Sequence, residues 1–289
     1  MCIHRVSYRI ASLIVALAIA GFARSALGVE IDFEDPPYAT GTIVGQNGWE
    51  TNGYIFADPF FGTPGVVNGT VEISTTAPLA GSQSVLYSQT IVPPGAGGSG
   101  ASDVGQAAAV VGVEDGTPAA DITASFLLQA DANPVGNGSM GFFLGQGGRS
   151  PVFLLVNNIN SGAGTGDVLV GHDAVLPSFG SYVPNDVYEF TIGVDLDNQN
   201  YDVFARNVTA GTLAAQLAGP GADGKFPFFG GAISDDGDGV TYTLDASLVL
   251  RGGTGRIDDL SLVGVPEPAT LGIAMLALIA FIGTRPKRS

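Results

Sequence analysis

The sequence contains very little cysteine, histidine or tryptophan, and each shortage excludes a class of function. It holds one cysteine, two histidines and one tryptophan among 289 residues. The cysteine is Cys2, so the rest of the chain forms no disulfide, no cysteine metal site and no cysteine nucleophile. Between residues 29 and 264 a catalytic triad would depend on His172 alone, and no Gly-x-Ser-x-Gly motif accompanies it. We therefore interpret His172 as an ordinary loop residue.

Basic residues are also scarce. The chain has 11 Lys and Arg against 27 Asp and Glu, a formal net charge of −16. Between residues 29 and 264 the basic side chains are Arg149, Arg206, Lys225, Arg251 and Arg256. Phosphate neutralisation needs clustered Lys and Arg, so nucleic acid is excluded as a partner. An acidic surface instead favours solubility and weak association with divalent cations.

The N-terminus has the pattern of a secretory signal. Two arginines precede an apolar run over residues 10–22, and small residues follow at Ala26 and Gly28. This order of a positive region, an apolar region and small residues predicts cleavage after Gly28, which makes 1–28 the signal peptide. The alternative is an uncleaved membrane anchor, for which the apolar run is short.

The C-terminus combines three features in order. Val265 and the motif Pro266-Glu267-Pro268 precede an apolar run over residues 269–283. The run is followed by basic residues at Arg285, Lys287 and Arg288. By the positive-inside rule the basic tail stays in the cytoplasm and the folded domain faces outward. An ordinary hydrophobic tail anchor is the alternative interpretation.

This tail resembles the PEP-CTERM sorting signal, and the resemblance covers residues 265–289 only. The resemblance rests on the motif Pro266-Glu267-Pro268, the apolar segment and the Arg/Lys terminus. The resemblance implies recognition by exosortase, an integral membrane protease of Gram-negative bacteria that make exopolysaccharide. It further implies transient anchoring in the inner membrane, cleavage near the motif, and release to the cell surface or extracellular matrix.

The region between the two ends, residues 29–264, is predicted to be all-β. Tyr188 to Leu196 alternates strictly between apolar and polar residues, and Ile122 to Ala130 and Tyr242 to Leu250 behave similarly. Short strands separated by Gly, Asn and Asp turns predict one two-sheet antiparallel β-sandwich or jelly roll. Asp197 to Asn200 is predicted as a hairpin turn, and the last strand is predicted over Ile257 to Val263. Leu213 to Leu217 is the one stretch predicted as a short helix.

The same region resembles concanavalin A-like, laminin-G-like sandwiches. The resemblance implies that the first and last strands pair, and such folds often serve as carbohydrate-binding modules. Four short motifs carry it, in this order: Ile31-Asp32-Phe33-Glu34-Asp35, Gly45-Gln46-Asn47-Gly48-Trp49, Gly81-Ser82-Gln83-Ser84-Val85 and Arg256-Ile257-Asp258-Asp259-Leu260.

A catalytic interpretation attaches to Glu30, Asp32 and Glu34. The pattern Glu-x-Asp-x-Glu is similar to the catalytic strand of laminarinase-like retaining glycosidases. That resemblance implies Glu30 as nucleophile, Glu34 as acid/base and Asp32 as modulator. However, residues four apart in a strand lie about 13 Å apart at Cα, and retaining chemistry needs carboxyl groups about 5 Å apart. We therefore predict a non-catalytic protein and keep the glycosidase as an alternative.

Calcium is the only cofactor that the sequence suggests. Glu34 on the first strand and Asp258 on the last supply the hard oxygen ligands that Ca²⁺ prefers. The alternative is a pair of solvated carboxylates at a sheet edge. A second candidate site is the loop that holds Asp235, Asp236 and Asp238, for which an ordinary turn is the alternative.

Together these features predict an exported, transiently anchored surface or matrix protein. Its domain is expected to bind extracellular polysaccharide or another matrix component without catalysis. A purely structural matrix protein without sugar affinity is the leading alternative.

Overall fold

The computed structural model is built from β-strands. No helix occurs in the ranges that it describes, and none of these ranges contains a helix suited to crossing a membrane. The described residues are 26–27, 29–34, 37–51, 69–89, 105–115, 121–131, 139–146, 149–157, 165–173, 175, 177–237, 241–251 and 253–265. The predicted anchor segment after Val265 and most of the predicted signal peptide lie outside them.

The strands form two antiparallel sheets. Sheet A has eight strands: β1 (Ala26–Leu27), β4 (Trp49–Thr51), β7 (Gly105–Asp115), β9 (Ser139–Gln146), β10 (Arg149–Asn157), β11 (Gly166–Val170), β12 (Ser178–Tyr182) and β17 (Thr241–Arg251). Sheet B has ten: β2 (Val29–Ile31), β3 (Gly41–Thr42), β5 (Gly69–Ser74), β6 (Ser84–Gln89), β8 (Asp121–Ala130), β13 (Tyr188–Asp195), β14 (Asn200–Asn207), β15 (Ala215–Gln216), β16 (Phe226–Pro227) and β18 (Gly253–Val265).

The predicted alternation decides which side chains enter the core. Along β13, Tyr188, Phe190, Ile192 and Val194 are buried while the residues between them are only partly so. Successive side chains of a strand point to opposite faces, so this strand has one face on the core and one towards solvent. β8 shows the same pattern, and the turn at residues 196–199 joins β13 to β14 as predicted. The prediction of an all-β, two-sheet antiparallel sandwich is confirmed.

Strands β9 and β10 are buried on both faces. Met140 and Phe142 face the main core, while Phe143, Phe153 and Leu155 form a second apolar cluster on the opposite face of sheet A. The rings of Phe143 and Phe153 are stacked with centroids 4.0 Å apart. This explains why these two strands are continuous apolar runs in the sequence rather than alternating ones.

Strand β18 occupies the middle of sheet B. It pairs with β8 along one edge and with β6 and then β2 along the other. The predicted pairing of the first and last strands is therefore confirmed at β2, where Ile31 lies opposite Leu260.

Two predictions of detail are wrong. The last strand begins at Gly253 rather than at Ile257, because the glycine-rich segment pairs with β6, where Gly253 lies opposite Gln89. Leu213 to Leu217 is not a helix, since Ala215 and Gln216 form strand β15 against β14. Leu213 is 90% exposed and only Leu217 of this segment packs against the core, which is too little burial to stabilise a short helix.

Candidate functional site

The candidate site lies where β18 changes its neighbour from β6 to β2. Pairing with β6 ends at Ile257, and pairing with β2 begins at Leu260. Between them the register with β8 shifts, and Asp259 adopts a left-handed φ of 48°. Such an irregularity bends the strand and re-aims its side chains. It leaves room beside Asp258 for two other segments, the end of β2 and the loop before β6.

The first of these segments brings in Glu34. Phe33 has a φ of 58°, which turns the chain sharply after β2. Its ring is fully buried, with centroids 5.4 Å from Tyr38 and 5.9 Å from Trp49. Because the Phe33 ring is fixed in this aromatic cluster, the next residue, Glu34, is held at the rim of the sheet.

The second segment is the loop Ala80–Gln83, which delivers donors to Glu34. The Glu34 carboxylate accepts from the Ser82 N–H at 2.6 Å, from the Gln83 N–H at 3.1 Å and from the Ser82 hydroxyl. Gly81 has a φ of 52°, and a Cβ at this position would collide with Glu34 Oε1. Glycine is therefore required here both for its backbone conformation and for the close approach of the carboxylate.

Asp258 holds the same loop from the other side. Its Oδ2 accepts from the Ala80 N–H at 2.9 Å, and its Oδ1 accepts from the Asp259 N–H at 3.0 Å. Asp258 is 1% exposed, although a carboxylate is rarely so buried. We call the carboxylates of Glu34 and Asp258, together with loop Ala80–Gln83, the carboxylate latch.

The latch is electrostatically unbalanced. Hydrogen bonds from the Ser82 hydroxyl, the Ser82 N–H and the Gln83 N–H lower the pKa of Glu34. Burial raises the pKa of Asp258 to about 7, and the neighbouring charges of Asp259 and Glu34 add to that rise. Arg256, only two residues before Asp258, donates instead to Gln129 and Asp131.

Asp259 extends this excess of negative charge. Its pKa is raised by burial first, and then by the charges of Glu30, Asp32 and Glu34. The neighbouring charges that raise the pKa of Asp258 and of Asp259 are all acidic.

The structure brings the two predicted calcium ligands together, and the alternative of solvated carboxylates is wrong for Asp258. The oxygens of Glu34 and Asp258 suit a hard cation, and the nearby Gln83 Oε1 is buried without a hydrogen-bond partner in the described part of the chain. In the described ranges no three Asp, Glu, His or Cys residues are grouped as a metal site. Calcium at the latch stays a prediction, in which Glu34 and Asp258 hold the ion.

The residues of the glycosidase alternative do not share one strand, because β2 ends at Ile31 and the left-handed Phe33 turns the chain before Glu34. Glu30 and Asp32 are exposed, and Asp32 Oδ1 accepts from the Glu34 N–H at 3.1 Å. The Glu34 carboxylate is bound by the loop. Trp49, the single tryptophan, is fully buried and donates to the Tyr38 hydroxyl at 3.0 Å, so it offers no surface for stacking a sugar.

The second calcium candidate forms local hydrogen bonds. Asp235 Oδ1 accepts from the Gly237 N–H at 2.6 Å, the pattern of an Asx turn. Asp236 Oδ2 accepts from the Thr243 hydroxyl at 2.6 Å and so fixes the loop to the start of β17. Asp238 lies outside the described residues. These bonds favour the turn interpretation for Asp235 and Asp236.

The other predicted residues fall into two groups. His172 is partly buried, with its Nδ1 3.4 Å from Asp173 Oδ2 and its ring against Phe179, which is consistent with a structural role. Of the sorting residues, Val265 is the last residue of β18, where it lies opposite Asp121. Pro266, Glu267, Pro268, Arg285, Lys287 and Arg288 lie outside the described residues.

The sequence motif that contains Gly81-Ser82-Gln83 does not indicate the role of the loop Ala80–Gln83. Only the structure shows that the N–H groups of Ser82 and Gln83 bind Glu34. A glycine followed by serine in a loop before a strand is the signal that was available, since small residues allow a carboxylate to approach the backbone.

No family model and no curated protein matches the chain. Among solved structures it is similar to a sialidase, with 10% identity and a TM-score of 0.45 over 82% of this chain. The match covers 18% of the sialidase, so the chain spans less than a fifth of that protein.

Two further structures match over most of their own length. Basic winged bean lectin, solved with Tn-antigen, has 11% identity and a TM-score of 0.44, over 83% of this chain and 98% of the lectin. The globular domain of T. cruzi calreticulin has 10% identity and a TM-score of 0.40, over 72% of this chain and 83% of that domain.

Proposed function

We propose that the chain is an exported protein that exosortase sorts to the cell surface or extracellular matrix of a Gram-negative bacterium. Its concanavalin A-like sandwich then acts as a non-catalytic module that contacts matrix polysaccharide. The observation that carries this proposal is the way in which the sandwich joins its C-terminal sorting motif.

The last strand leads directly into the motif. Val265 still pairs with Asp121 of β8, and Pro266 is the next residue in the sequence. Val29, at the start of β2, lies opposite Leu262 near the same end of β18. The start of β2 and the C-terminal sorting motif therefore lie at the same end of sheet B. This arrangement suits a domain held at a membrane by one end.

The latch supports a non-catalytic role. A general acid needs a raised pKa and a free approach to the substrate. The pKa of Glu34 is lowered, and its carboxylate is bound to Ser82 and Gln83. Glu34, which the glycosidase alternative assigns as acid/base, therefore has a pKa that is shifted in the wrong direction for a general acid.

Support for a polysaccharide partner comes from surface chemistry. The outward positions of β13 are polar, including Glu189 and Thr191, and they lie on a broad antiparallel sheet. Basic side chains are few, which leaves neutral sugars, or acidic sugars bridged by a divalent cation, as the class of ligand.

A glycan array tests the ligand. The chain without residues 1–25 and 266–289 is applied with calcium and with EDTA. Reproducible binding to any polysaccharide supports the module. Silence on every glycan favours the purely structural alternative. Turnover of a polysaccharide that is lost in Glu30→Gln would establish the glycosidase instead.

A further inference from the structure

The first described strand precedes the predicted signal cleavage site. Ala26 and Leu27 form β1, whose backbone pairs with Asp115 and Glu114 at the end of β7 in sheet A. After Gly28 the chain continues as β2, which pairs with β18 in sheet B. Between Leu27 and Val29 the chain thus passes from sheet A to sheet B. Cleavage after Gly28 would fall on this crossing and would remove β1 from the domain.

A signal peptide is absent from the mature protein, so its residues contribute nothing to the mature fold. We therefore take the pairing of Ala26 and Leu27 in sheet A as a sign that both residues belong to the mature chain. Loss of β1 would also leave the edge of β7 unpaired at Glu114 and Asp115, and unpaired edges promote association between chains.

The sequence offers a second cleavage site that keeps β1. The rule for cleavage requires small residues at the first and third positions before the cut. Ala26 and Gly28 satisfy it for a cut before Val29, and Ala23 and Ser25 satisfy it for a cut before Ala26. The small-residue rule does not discriminate between these two sites, whereas the pairing of β1 does.

We propose that the signal peptide ends at Ser25 and that the mature protein begins at Ala26. The proposal rests on the export proposed above. In the mature protein the chain from β1 to β2 then links the edge of sheet A to sheet B.

The test is the N-terminal sequence and intact mass of the protein exported by a Gram-negative host that expresses the full chain. We expect Ala26 as the first residue. A first residue of Val29 would overturn this inference and leave export intact. A chain that keeps Met1 in the membrane fraction would overturn the cut and favour the uncleaved anchor, whereas one that keeps Met1 in the cytoplasmic fraction would refute export itself. The two failures are therefore distinguishable.

Two matched variants place the cut independently of stability. A large charged residue directly before the cut violates the small-residue rule. Ser25→Arg should therefore abolish the N-terminus at Ala26 and leave the precursor uncut or cut before Val29, while Gly28→Arg should still yield an N-terminus at Ala26. The reverse pattern would overturn the inference. The readout is the sequence of the N-terminus, so a folding defect in Gly28→Arg does not mimic either result.

Discussion

Replacing Asp258 by asparagine should remove much of the pH dependence of the stability of the sandwich. The pKa of Asp258 is raised from 3.8 to about 7 because the side chain is buried beside Asp259 and Glu34. A group whose folded pKa is raised contributes stability that is full below its unfolded pKa. That stability is lost as the pH rises through the folded pKa. The wild-type domain should therefore become less stable between pH 4 and pH 8, as the buried carboxyl is forced to ionise.

The magnitude follows from the pKa shift. A rise of about three pKa units corresponds to an upper limit of about 4 kcal/mol. Glu34 is only partly buried and water screens the latch, so we expect about half, roughly 2 kcal/mol. For a domain of this size that corresponds to a change in Tm of about 4–8 °C.

The asparagine has a second effect, independent of pH. Its side-chain oxygen can still accept from the Ala80 N–H, but its NH₂ group cannot accept from the Asp259 N–H, which costs about 1 kcal/mol at every pH. Urea unfolding at a series of pH values separates the two effects, because only the titration of Asp258 changes the slope of the free energy of unfolding against pH. Asp223→Asn is the matched control, since Asp223 is an exposed acid that accepts from the Lys225 N–H. The reasoning is wrong if Asp258→Asn keeps the wild-type slope.

Three further predictions concern the latch and the fold. Gly81→Ala should destabilise the domain by about 1–3 kcal/mol in urea unfolding, because its Cβ meets the Glu34 carboxylate; a neutral effect would contradict the close approach. Millimolar Ca²⁺ should raise the Tm above its value in EDTA. A free Ca²⁺ concentration of a hundred times the Kd would add about 2.7 kcal/mol to the free energy of unfolding. Glu34→Gln should reduce this rise in Tm, and Asp236→Asn should leave it unchanged. If Ca²⁺ does not change the Tm of the wild type, the calcium site at the latch is refuted. Circular dichroism of residues 26–265 should be β-dominated without reductant, and a spectrum above about one-third helix would overturn the fold.

The sequence predicted the features that depend on local pattern. The alternation along Tyr188 to Val194 identified the buried face of β13, because side-chain direction in a strand has a period of two. The pairing of β2 with β18 was also predicted, although only through resemblance to a fold family.

The features that depend on distant residues were not predictable in the same way. Asp258 and Ala80 are 178 residues apart, and no local pattern indicates that a carboxylate will accept from that particular N–H. The burial of Asp258 could therefore be recognised only in the structure. The error at residues 213–217 has a related cause, since helix propensity in a short segment yields to pairing with a neighbouring strand.

The most direct test of the central claim is the fate of the sorting motif in the native host. Pro266, Glu267 and Pro268 are replaced together by alanine, and the protein is followed in membrane, surface and medium fractions. We predict that the variant stays in the inner membrane at full length, while the wild type is shortened and released. Equal release of the two proteins would contradict sorting by exosortase and leave only an ordinary anchor.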